Sequence, residues 1–405
     1  MLNILFLTTG RINDVEEHAL YTDLLRTLRD RGHCVYTVST HEKRVGKPTA
    51  LTEESGIHTL RVRTGNITKC GLLEKGISTL RIEGQFKRAI KKYFNGVKFD
   101  LVLYSTPPIT FAKVVQYVKK RDGATSYLLL KDIFPQNAVD IGVLKKSGLK
   151  GLLYRFFRRK EKRLYAFSDR IGCMSEANCR YLLTHNPEVD ATRVEVCPNS
   201  VEVRDMTVSV EERFALRAKY GIPQDKTVFV YGGNLGKPQG VDFLMDCLRR
   251  EADRENTYFL IVGDGTEYGK LEAFFAAEQL PNAKLLRRLP KEDYDRMVAA
   301  CDVGLIFLDH RFTIPNFPSR LLSYMQAGVP VLASTDPNTD VGEVIVNGGF
   351  GWWCESNDVA AFSTAVGKAL SADRTQMGER GRAYMEAHYH VRDAAETLLR
   401  CAQND

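Results

Sequence analysis

Short apolar runs alternate with amphipathic segments along the whole chain. The run Leu2–Thr8 is followed by a segment with leucines on one helical face, and then by a second apolar run, Cys34–Ser39. Strand, helix and strand at this spacing form a βαβ unit, which belongs to a parallel sheet. Residues 43–59 are polar and are predicted to form a loop. Further strands are predicted at Leu101–Tyr104, Tyr127–Leu130, Thr227–Tyr231, Tyr258–Val262, Lys284–Leu286 and Val303–Phe307.

The alternation stops in a polar stretch that ends near Glu212 and then restarts. A chain of 405 residues is also too long for one typical hydrophobic core. We therefore predict an N-terminal α/β domain over residues 1–200 and a C-terminal α/β domain over residues 201–385. The segment 386–405 is predicted to be a helix that packs back on the N-terminal domain.

Composition excludes several classes of protein. Apolar residues make up 44% and charged residues 26% of the chain, which is typical of a globular protein. The nine cysteines are odd in number and contain no C-x-x-C pair, which favours reduced thiols in a cytosolic chain over disulfides or a zinc site. The N-terminus has no signal-peptide pattern, and no run approaches the ~20 apolar residues of a membrane span.

The net charge of +7 hides an asymmetry between the two halves. Residues 1–200 contain 34 basic and 20 acidic side chains, whereas residues 201–405 contain 23 and 30. Residues 145–163 alone carry nine Lys or Arg against one acid, with apolar residues at helical spacing. This pattern predicts either a basic amphipathic helix on an anionic membrane or a core-packed helix with a solvated face. No motif or aromatic–basic alternation indicates nucleic-acid binding.

Polar residues follow the predicted strands of the first half. Ligands of open α/β sheets bind beyond the carboxyl ends of the strands, so Gly10–Asp14, Ser105–Pro108 and Lys131–Gln136 should share one rim. Asp132 can orient or deprotonate a hydroxyl group, and Lys131 can hold a phosphate or pair with Asp132. The loop after the first strand lacks the glycines of a dinucleotide fingerprint, which argues against an NAD site.

Three segments of the second half follow predicted strands in the same way: the loop Gly232–Gly240, the turn Gly263–Glu267 and the stretch Asn316–Ser334. Glycines let backbone approach a phosphate closely, and Lys237 adds a mobile positive charge. Pro318 suits the first turn of a helix, where Ser319 and Arg320 would meet an anion. An ordinary α/β connection is the alternative, and no P-loop spacing is present.

Taken together, these segments resemble retaining glycosyltransferases of family 4. Their GT-B fold consists of two Rossmann-like parallel-sheet domains facing across a cleft. The segments that carry the resemblance are Tyr231–Gly240, Gly263–Gly265, Ala300–Ile306, Pro318–Val331 and Gly342–Ile345. In the first half, Ser105–Pro108, Asp132–Pro135 and Pro198–Ser200 are similar to the bacterial subgroup that builds lipid-linked surface polysaccharides.

The resemblance implies transfer of a sugar from a UDP- or GDP-sugar to a lipid-linked glycan, with retention and without a metal ion or other cofactor. The donor would bind the C-terminal domain and the acceptor the N-terminal domain, on the cytoplasmic face of the cell membrane. Asp132, Lys131 and Arg320 would be catalytic. The residues expected to bind the donor are Gly233, Asn234, Lys237, Gly265, Arg288, Leu289, Pro318, Ser319, Arg320 and Ser323.

The chain also departs from the family pattern. Pro315 and Ser323 occupy positions at which relatives usually carry two glutamates, and Asn234 and Gln239 replace an arginine and a lysine. A non-catalytic relative, which either binds nucleotide sugars or serves as a scaffold subunit, is therefore the alternative function. A sugar-nucleotide epimerase of the same fold is a third possibility, although its hydrolytic carboxylates are not identifiable. Asp293-Tyr-Asp295 is the one D-x-D sequence and is predicted to be solvated helix surface.

Overall fold

The computed structural model of the protein describes residues 1–403 and divides into two compact units. Unit 1 comprises Met1–Glu202 together with the C-terminal segment that begins at His390, and unit 2 comprises Val203–Tyr389. The sequence places these boundaries at residues 200 and 385. The chain therefore passes from one unit to the other twice.

Unit 1 is built on an eight-stranded sheet. Its strands are β1 (Asn3–Leu7), β2 (Cys34–Glu42), β3 (Ala50–Glu54), β4 (Ile57–Thr64), β5 (Leu101–Ser105), β6 (Thr125–Leu130), β7 (Arg170–Cys173) and β8 (Val194–Val196). They lie in the order β3-β4-β2-β1-β5-β6-β7-β8. Every neighbouring pair is parallel except β3 and β4. The four strands predicted in the first half of the chain correspond to β1, β2, β5 and β6 of this sheet, so the predicted α/β class is confirmed.

The prediction of a loop over residues 43–59 is wrong, because this range contains β3 and the start of β4. Ser55 and Gly56 both have positive φ and join the two strands in a tight hairpin. β3 is an edge strand whose side chains are exposed or half-buried, so its sequence has no apolar run. The pattern of buried residues that identified the other strands is therefore missing from this one.

Six helices of unit 1 connect these strands. They are α1 (Leu20–Asp30), α2 (Leu72–Tyr93), α3 (Ala112–Asp122), α4 (Gln136–Asp140), α5 (Gly148–Phe167) and α6 (Glu176–His185). Alternate residues of β1 point to opposite faces of the sheet, as the pleat requires. Leu5 and Leu7 pack in the core beneath α2, α3 and α5, whereas Ile4 and Phe6 pack in the core that contains α1. The sheet is thus covered on both faces.

Unit 2 repeats this plan with a six-stranded, fully parallel sheet. Its elements are α7 (Val210–Tyr220), β9 (Thr227–Asn234), α8 (Val241–Arg250), β10 (Thr257–Asp264), α9 (Tyr268–Glu278), β11 (Ala283–Arg287), α10 (Lys291–Ala299), β12 (Val303–Phe307), α11 (Arg320–Gln326), β13 (Val331–Thr335), α12 (Val341–Asn347), β14 (Gly351–Glu355), α13 (Val359–Ser371) and α14 (Arg374–His388). The strand order is β11-β10-β9-β12-β13-β14. Trp352 and Trp353 lie in β14.

The last helix, α15 (Val391–Gln403), belongs to unit 1. Its buried residues Ala395 and Leu398 share a core with Leu25 and Leu28 of α1. Full burial of a leucine side chain stabilises a fold by roughly 1.5–3 kcal/mol, so this helix contributes substantially to unit 1. Across residues 1–403, every helix is too short or too polar to cross a lipid bilayer.

Candidate functional site

Three segments meet at the carboxyl edge of the unit 2 sheet. β9 and β10 are parallel neighbours that end together, with Gly233 paired to Gly263 and Asn234 paired to Asp264. The third segment is the loop that leads from β12 into α11, on the other side of β9. The carboxyl ends of parallel strands are where open α/β sheets bind ligands. This edge is therefore the candidate donor site.

The loops after β9 and β10 are locked together by close backbone contacts. The backbone N–H of Leu235 donates to the carbonyl of Asp264 at 3.0 Å. A Cβ atom at Gly265 would lie 2.3 Å from the Leu235 carbonyl oxygen, and one at Gly263 would lie 2.1 Å from the Gly233 carbonyl oxygen. These glycines are thus required by packing between the loops. Gly265, predicted to bind the donor, lies against Leu235 and shapes the β9 loop.

Arg320 brings a buried cation to the strand end. Its guanidinium carbon lies 4.2 Å from the centroid of the Tyr231 ring, which is a cation–π contact. Its Nη1 atom is buried and has no hydrogen-bond partner within the part of the chain that the structure describes. Gly233 has φ +123°, and a Cβ atom there would lie 3.3 Å from Nη2. The side chain is therefore fixed against β9 with donor capacity unused.

Two further tyrosines surround this arginine. The hydroxyl group of Tyr324 lies 3.0 Å from the Leu305 carbonyl oxygen and 3.1 Å from that of Val230, which ties α11 to β12 and β9. A Cβ atom at Gly232 would lie 1.9 Å from the hydroxyl oxygen of Tyr294, so this glycine makes room for the ring. Burial raises the pKa of Tyr324 to about 12 and that of Tyr294 well above its usual value. Both are neutral hydroxyl groups near neutral pH.

The loop after β9 leaves one lysine exposed. The side-chain amide of Asn234 donates to Gln239 Oε1 at 3.1 Å, and the backbone N–H of Gly236 donates to the same oxygen at 3.1 Å. The two residues that replace the family's cations therefore bond to each other and brace the loop. Lys237 starts a short 3-10 turn, is exposed, and has no ion-pair or hydrogen-bond partner for its ammonium among residues 1–403. It remains a mobile positive charge.

The predicted loop, short helix and buried strand around Pro318 are all present, with α11 starting at Arg320. Ser319 immediately precedes α11, is exposed, and its hydroxyl makes no capping hydrogen bond in the described chain. Ser323 lies half-buried on the helix. The helix buries Leu321, Leu322 and Met325.

Arg288 and Leu289 follow β11, two strands away from β9 at the same edge of the sheet. Arg288 is exposed, and no ion pair or hydrogen bond of its guanidinium is found within the described residues. Its neighbour Arg287 instead stacks on the Tyr268 ring, with its guanidinium carbon 3.7 Å from the centroid. Along this edge, Arg288 is therefore a second exposed cation, besides Lys237, for which the described residues provide no ion-pair partner.

A buried carboxylate that the sequence did not indicate follows β13. Oδ1 of Asp336 accepts from the backbone N–H groups of Asn338 at 2.9 Å and Thr339 at 3.3 Å. Oδ2 is buried and lacks a partner in the described part of the chain. Burial raises the pKa of Asp336 to about 6. The side chain braces the turn whose Thr339 hydroxyl donates to the carbonyl of Asn316, ahead of α11.

In unit 1, the segments after β5 and β6 share a rim as predicted. The hydroxyl group of Thr106 donates to the Asp132 carbonyl at 3.0 Å and accepts from the Lys131 N–H at 3.0 Å. Both oxygens of the Asp132 carboxylate accept from the Asn137 side-chain amide, at 2.7 and 2.8 Å. Burial raises the pKa of Asp132 to about 6, although the Asn137 hydrogen bonds oppose this shift. Asn137, which orients the carboxylate, was not predicted.

The suggestion that Lys131 pairs with Asp132 finds no support, because its ammonium donates to the Cys197 carbonyl at 3.0 Å. Burial lowers the pKa of Lys131. His18 precedes α1 and contacts Glu202 at 3.2 Å and Asp23 at 3.4 Å. These three residues have metal-ligating atoms within 4.8 Å of one another. A guanidinium, that of Arg26, already pairs with Asp23 there.

The D-x-D sequence lies on α10, where Asp293 pairs with Lys219 at 2.9 Å and Asp295 pairs with Lys291 at 2.5 Å. Both carboxylates are therefore engaged with lysines. The indole N–H of Trp353 donates to the Thr335 hydroxyl at 2.9 Å. This bond ties β14 to the end of β13.

Residues 212–384 match the family model described as Glycosyl transferases group 1. WbjE of Pseudomonas aeruginosa, named as a glycosyltransferase, is 25% identical over 334 residues, which is 82% of this chain and 81% of the relative. WcaI of Escherichia coli K12, named as a colanic acid biosynthesis glycosyl transferase, is 24% identical over 251 residues, 61% of this chain and 60% of the relative. The matched residues lie within unit 2, which carries the candidate site.

Solved structures share the fold along the full chain. Sucrose-phosphate synthase from Thermosynechococcus elongatus has a TM-score of 0.78 at 15% identity, covering 100% of this chain and 98% of that one. HepE of Anabaena, solved with UDP and glucose, has a TM-score of 0.71 at 15% identity and full coverage of both chains. The chain thus contains a region that matches the group 1 model, resembles two relatives named as glycosyltransferases, and shares its two-sheet fold with these solved structures.

Proposed function

We propose that this protein is a retaining glycosyltransferase of family 4. It moves a hexosyl or N-acetylhexosaminyl group from a UDP- or GDP-sugar to a lipid-diphosphate-linked glycan in capsule, O-antigen or exopolysaccharide synthesis. The colanic acid assignment in the name of WcaI and the UDP complexes of HepE support the substrate classes.

The observation that carries this proposal is the unused donor capacity of Arg320. In a sugar transfer, negative charge develops on the diphosphate as its bond to the sugar breaks. A guanidinium that is already desolvated and held by Tyr231 can donate to these oxygens without reorganisation. Lys237 and Arg288 add mobile positive charge along the same edge. The proposed stabilisation of the leaving group therefore uses side chains alone, without a metal ion.

The acceptor is proposed to bind unit 1 at Asp132. With a pKa of about 6, this group is a carboxylate at neutral pH and can accept a hydrogen bond or a proton from an acceptor hydroxyl. The Asn137 amide holds both of its oxygens and thereby fixes the orientation of the carboxyl plane. Lys131 follows β6 together with Asp132, and its ammonium is held at the Cys197 carbonyl. Both residues are proposed to be catalytic or positioning groups for the acceptor.

The protein is further proposed to bind the inner face of the cell membrane through α5. Leu149 and Leu152 are 87% and 56% exposed, and the exposed Lys150, Arg155 and Arg159 lie among them. This combination is typical of helices that lie on anionic bilayers. Arg158, by contrast, pairs with Glu161 at 2.7 Å and so has a structural role within the basic segment.

Calorimetric titration with UDP, GDP and their sugar conjugates tests the donor site, and product mass with a polyprenyl-diphosphate sugar tests transfer. Binding of one nucleotide and its sugar conjugate, followed by a product heavier by one sugar, is expected. If none of these nucleotides binds to correctly folded protein, the proposed function is wrong.

A non-catalytic nucleotide-sugar-binding protein is the second candidate. Pro315 is buried in the loop and Ser323 offers one hydroxyl, so neither supplies the carboxylate of the resembled family. Donor binding without transfer to any lipid-linked acceptor would favour this second function. Replacing Ser323 with Glu tightens donor binding if the position still faces the ribose.

A further inference from the structure

A second set of apolar side chains is exposed in unit 1, on α2. Leu73, Ile77 and Leu80 are 85%, 53% and 45% exposed. Their spacing of four and three residues places them on one face of the helix, in its N-terminal half. The opposite face of α2 is buried, with Ile82 and Phe86 in the core. α2 therefore presents apolar side chains on both faces, and only one face has a partner within the described residues.

A cationic groove continues from this apolar stripe. It has a volume of about 510 Å³ and is lined by Leu80 and by Arg81, Arg88 and Lys113, among others. These three cations are exposed, and their charged groups have no acidic partner among the described residues. Glu83 is the one acid in the lining, and its carboxylate accepts a hydrogen bond from the backbone N–H of Lys113. The groove thus carries uncompensated positive charge beside exposed apolar surface.

The fold places this surface close to the edge that carries Asp132. α2 packs on α3, and α3 packs on α5, so the three helices form one layer on the same face of the sheet. Helices that connect parallel strands run against the strand direction, which puts their N-terminal turns at the carboxyl ends of the strands. The exposed large apolar residues of α2 and α5 lie in the N-terminal halves of the two helices. They therefore border the same rim.

We propose that the exposed apolar stripe of α2 and the adjoining cationic groove together form a second membrane-binding segment. Leu73, Ile77 and Leu80 insert at the bilayer interface, and the phosphate of an anionic phospholipid binds in the groove of Arg81, Arg88 and Lys113. The occupant is a lipid and not a free anion, because the cations adjoin an apolar stripe. A free anion would leave this stripe exposed to water, whereas a bilayer covers it. The inference extends the proposed function by giving unit 1 two attachment points, α2 and α5.

The geometry has a functional consequence for the acceptor. Two attachment helices in one layer define a plane, whereas a single amphipathic helix leaves rotation about its own axis free. Contact through both helices holds the carboxyl edge of the unit 1 sheet, with Asp132, next to the membrane. A glycan on a lipid diphosphate extends from that surface and would reach Asp132 directly.

Co-sedimentation of the full chain with vesicles tests this surface. The vesicles contain phosphatidylcholine alone or equal parts of phosphatidylcholine and phosphatidylglycerol. The groove variant is Arg81→Gln/Arg88→Gln/Lys113→Gln, and the stripe variant is Leu73→Gln/Ile77→Gln/Leu80→Gln. The matched control, Lys226→Gln/Arg250→Gln/Lys368→Gln, removes the same charge from unit 2. Lys150→Gln/Arg155→Gln/Arg159→Gln on α5 provides the comparison with the first attachment point.

Wild-type protein and the unit 2 control are expected to bind the anionic vesicles at least about tenfold more tightly than the groove variant, since each basic side chain near an anionic surface adds to the attraction. The stripe variant is expected to weaken binding similarly while its thermal unfolding stays cooperative. Groove and stripe variants that bind like the unit 2 control would overturn the proposal, as would equal wild-type binding to both kinds of vesicle.

Failure of this inference is distinguishable from failure of the proposed function. Titration with UDP and GDP reports on unit 2, and all four variants are expected to bind nucleotide like wild-type protein. If nucleotide binds and only the α5 variant loses vesicle affinity, α2 is not a membrane segment while the proposed function stands. If vesicles bind through α2 and no nucleotide binds, the surface is real and the proposed donor is wrong.

Discussion

Replacement of Arg320 by glutamine tests the donor site most directly. The change removes the positive charge beside Gly233 and keeps a planar polar group near Tyr231. Because Nη1 is buried without a partner in the described chain, the cost of its desolvation is already present in the free protein. A diphosphate that supplies the missing acceptor recovers this cost. The variant should therefore lose affinity for the nucleotide without losing stability.

The expected loss follows from the type of hydrogen bond. A hydrogen bond to a charged partner contributes about 1.5–3 kcal/mol, which corresponds to a roughly 10- to 150-fold increase in the Kd for UDP or GDP. Arg320→Lys keeps the charge but not the planar guanidinium that stacks on Tyr231. Its Kd should therefore lie between the Kd of the wild-type protein and that of Arg320→Gln. Both variants should bind the nucleoside without phosphates as the wild-type protein does.

The assay is calorimetric titration of each variant with the nucleoside diphosphate and with the nucleoside, alongside thermal unfolding. Lys237→Gln is the matched control, because it removes an exposed cation from the same edge and should raise Kd by much less. An unchanged Kd for the diphosphate in well-folded Arg320→Gln protein would refute the reasoning. An equal loss of affinity for the nucleoside would show that Arg320 acts on the base or on the fold instead.

Three further predictions concern stability and pH. Gly265→Ala places a Cβ atom 2.3 Å from the Leu235 carbonyl oxygen and should lower the free energy of unfolding in urea by about 1–3 kcal/mol. Gly269→Ala on α9 is the control and should not lower it, because no atom lies within 4 Å of the added Cβ. Since the pKa of Asp132 is about 6, wild-type kcat/KM should fall as the pH drops below that value. The Asp132→Asn variant should be slow and should lack this pH dependence. A variant with the same pH profile as the wild type would exclude Asp132 as the titrating group. The folded-state pKa of Asp336 is raised from 3.8 to about 6, so native protein binds more protons than unfolded protein and Asp336 lowers stability progressively as pH rises from about 4 to 6. Asp336→Asn should therefore gain on the order of 2–3 kcal/mol relative to wild type at pH 8 and little at pH 4, and an equal gain at both values would contradict this origin.

The fold was predictable because buried parallel strands leave a strong signal. β5 and β12 are buried along their whole length, and β6, β9 and β10 over most of theirs. Each of these strands contains an apolar run in the sequence. β3 was missed because an edge strand buries too little to show a pattern. Gly351, the first residue of β14, is needed for close packing, because a Cβ atom there would lie only 1.9 Å from the Val331 carbonyl oxygen.

The site was predictable only in part. Spacing located Arg320 and Asp132, since each follows directly from a strand or starts a helix. Their surroundings depend on side chains brought together from distant segments. Tyr294 reaches Gly232 from α10, and no local pattern links the two. Gly265 shows the limit most clearly, because a glycine that lets a loop approach a phosphate and one that lets two loops pack look the same in sequence.

The return of α15 to unit 1 means that the two units are not separable by a single cut. A fragment that ends after residue 202 would lack the helix whose Ala395 and Leu398 cover Leu25 and Leu28, and would present that apolar face to solvent. Unit 1 can be produced on its own only by joining residues 1–202 to the segment from His390, whereas Val203–Tyr389 is one continuous piece. A stop codon just before α15 would thus damage unit 1, although most of unit 1 is translated first.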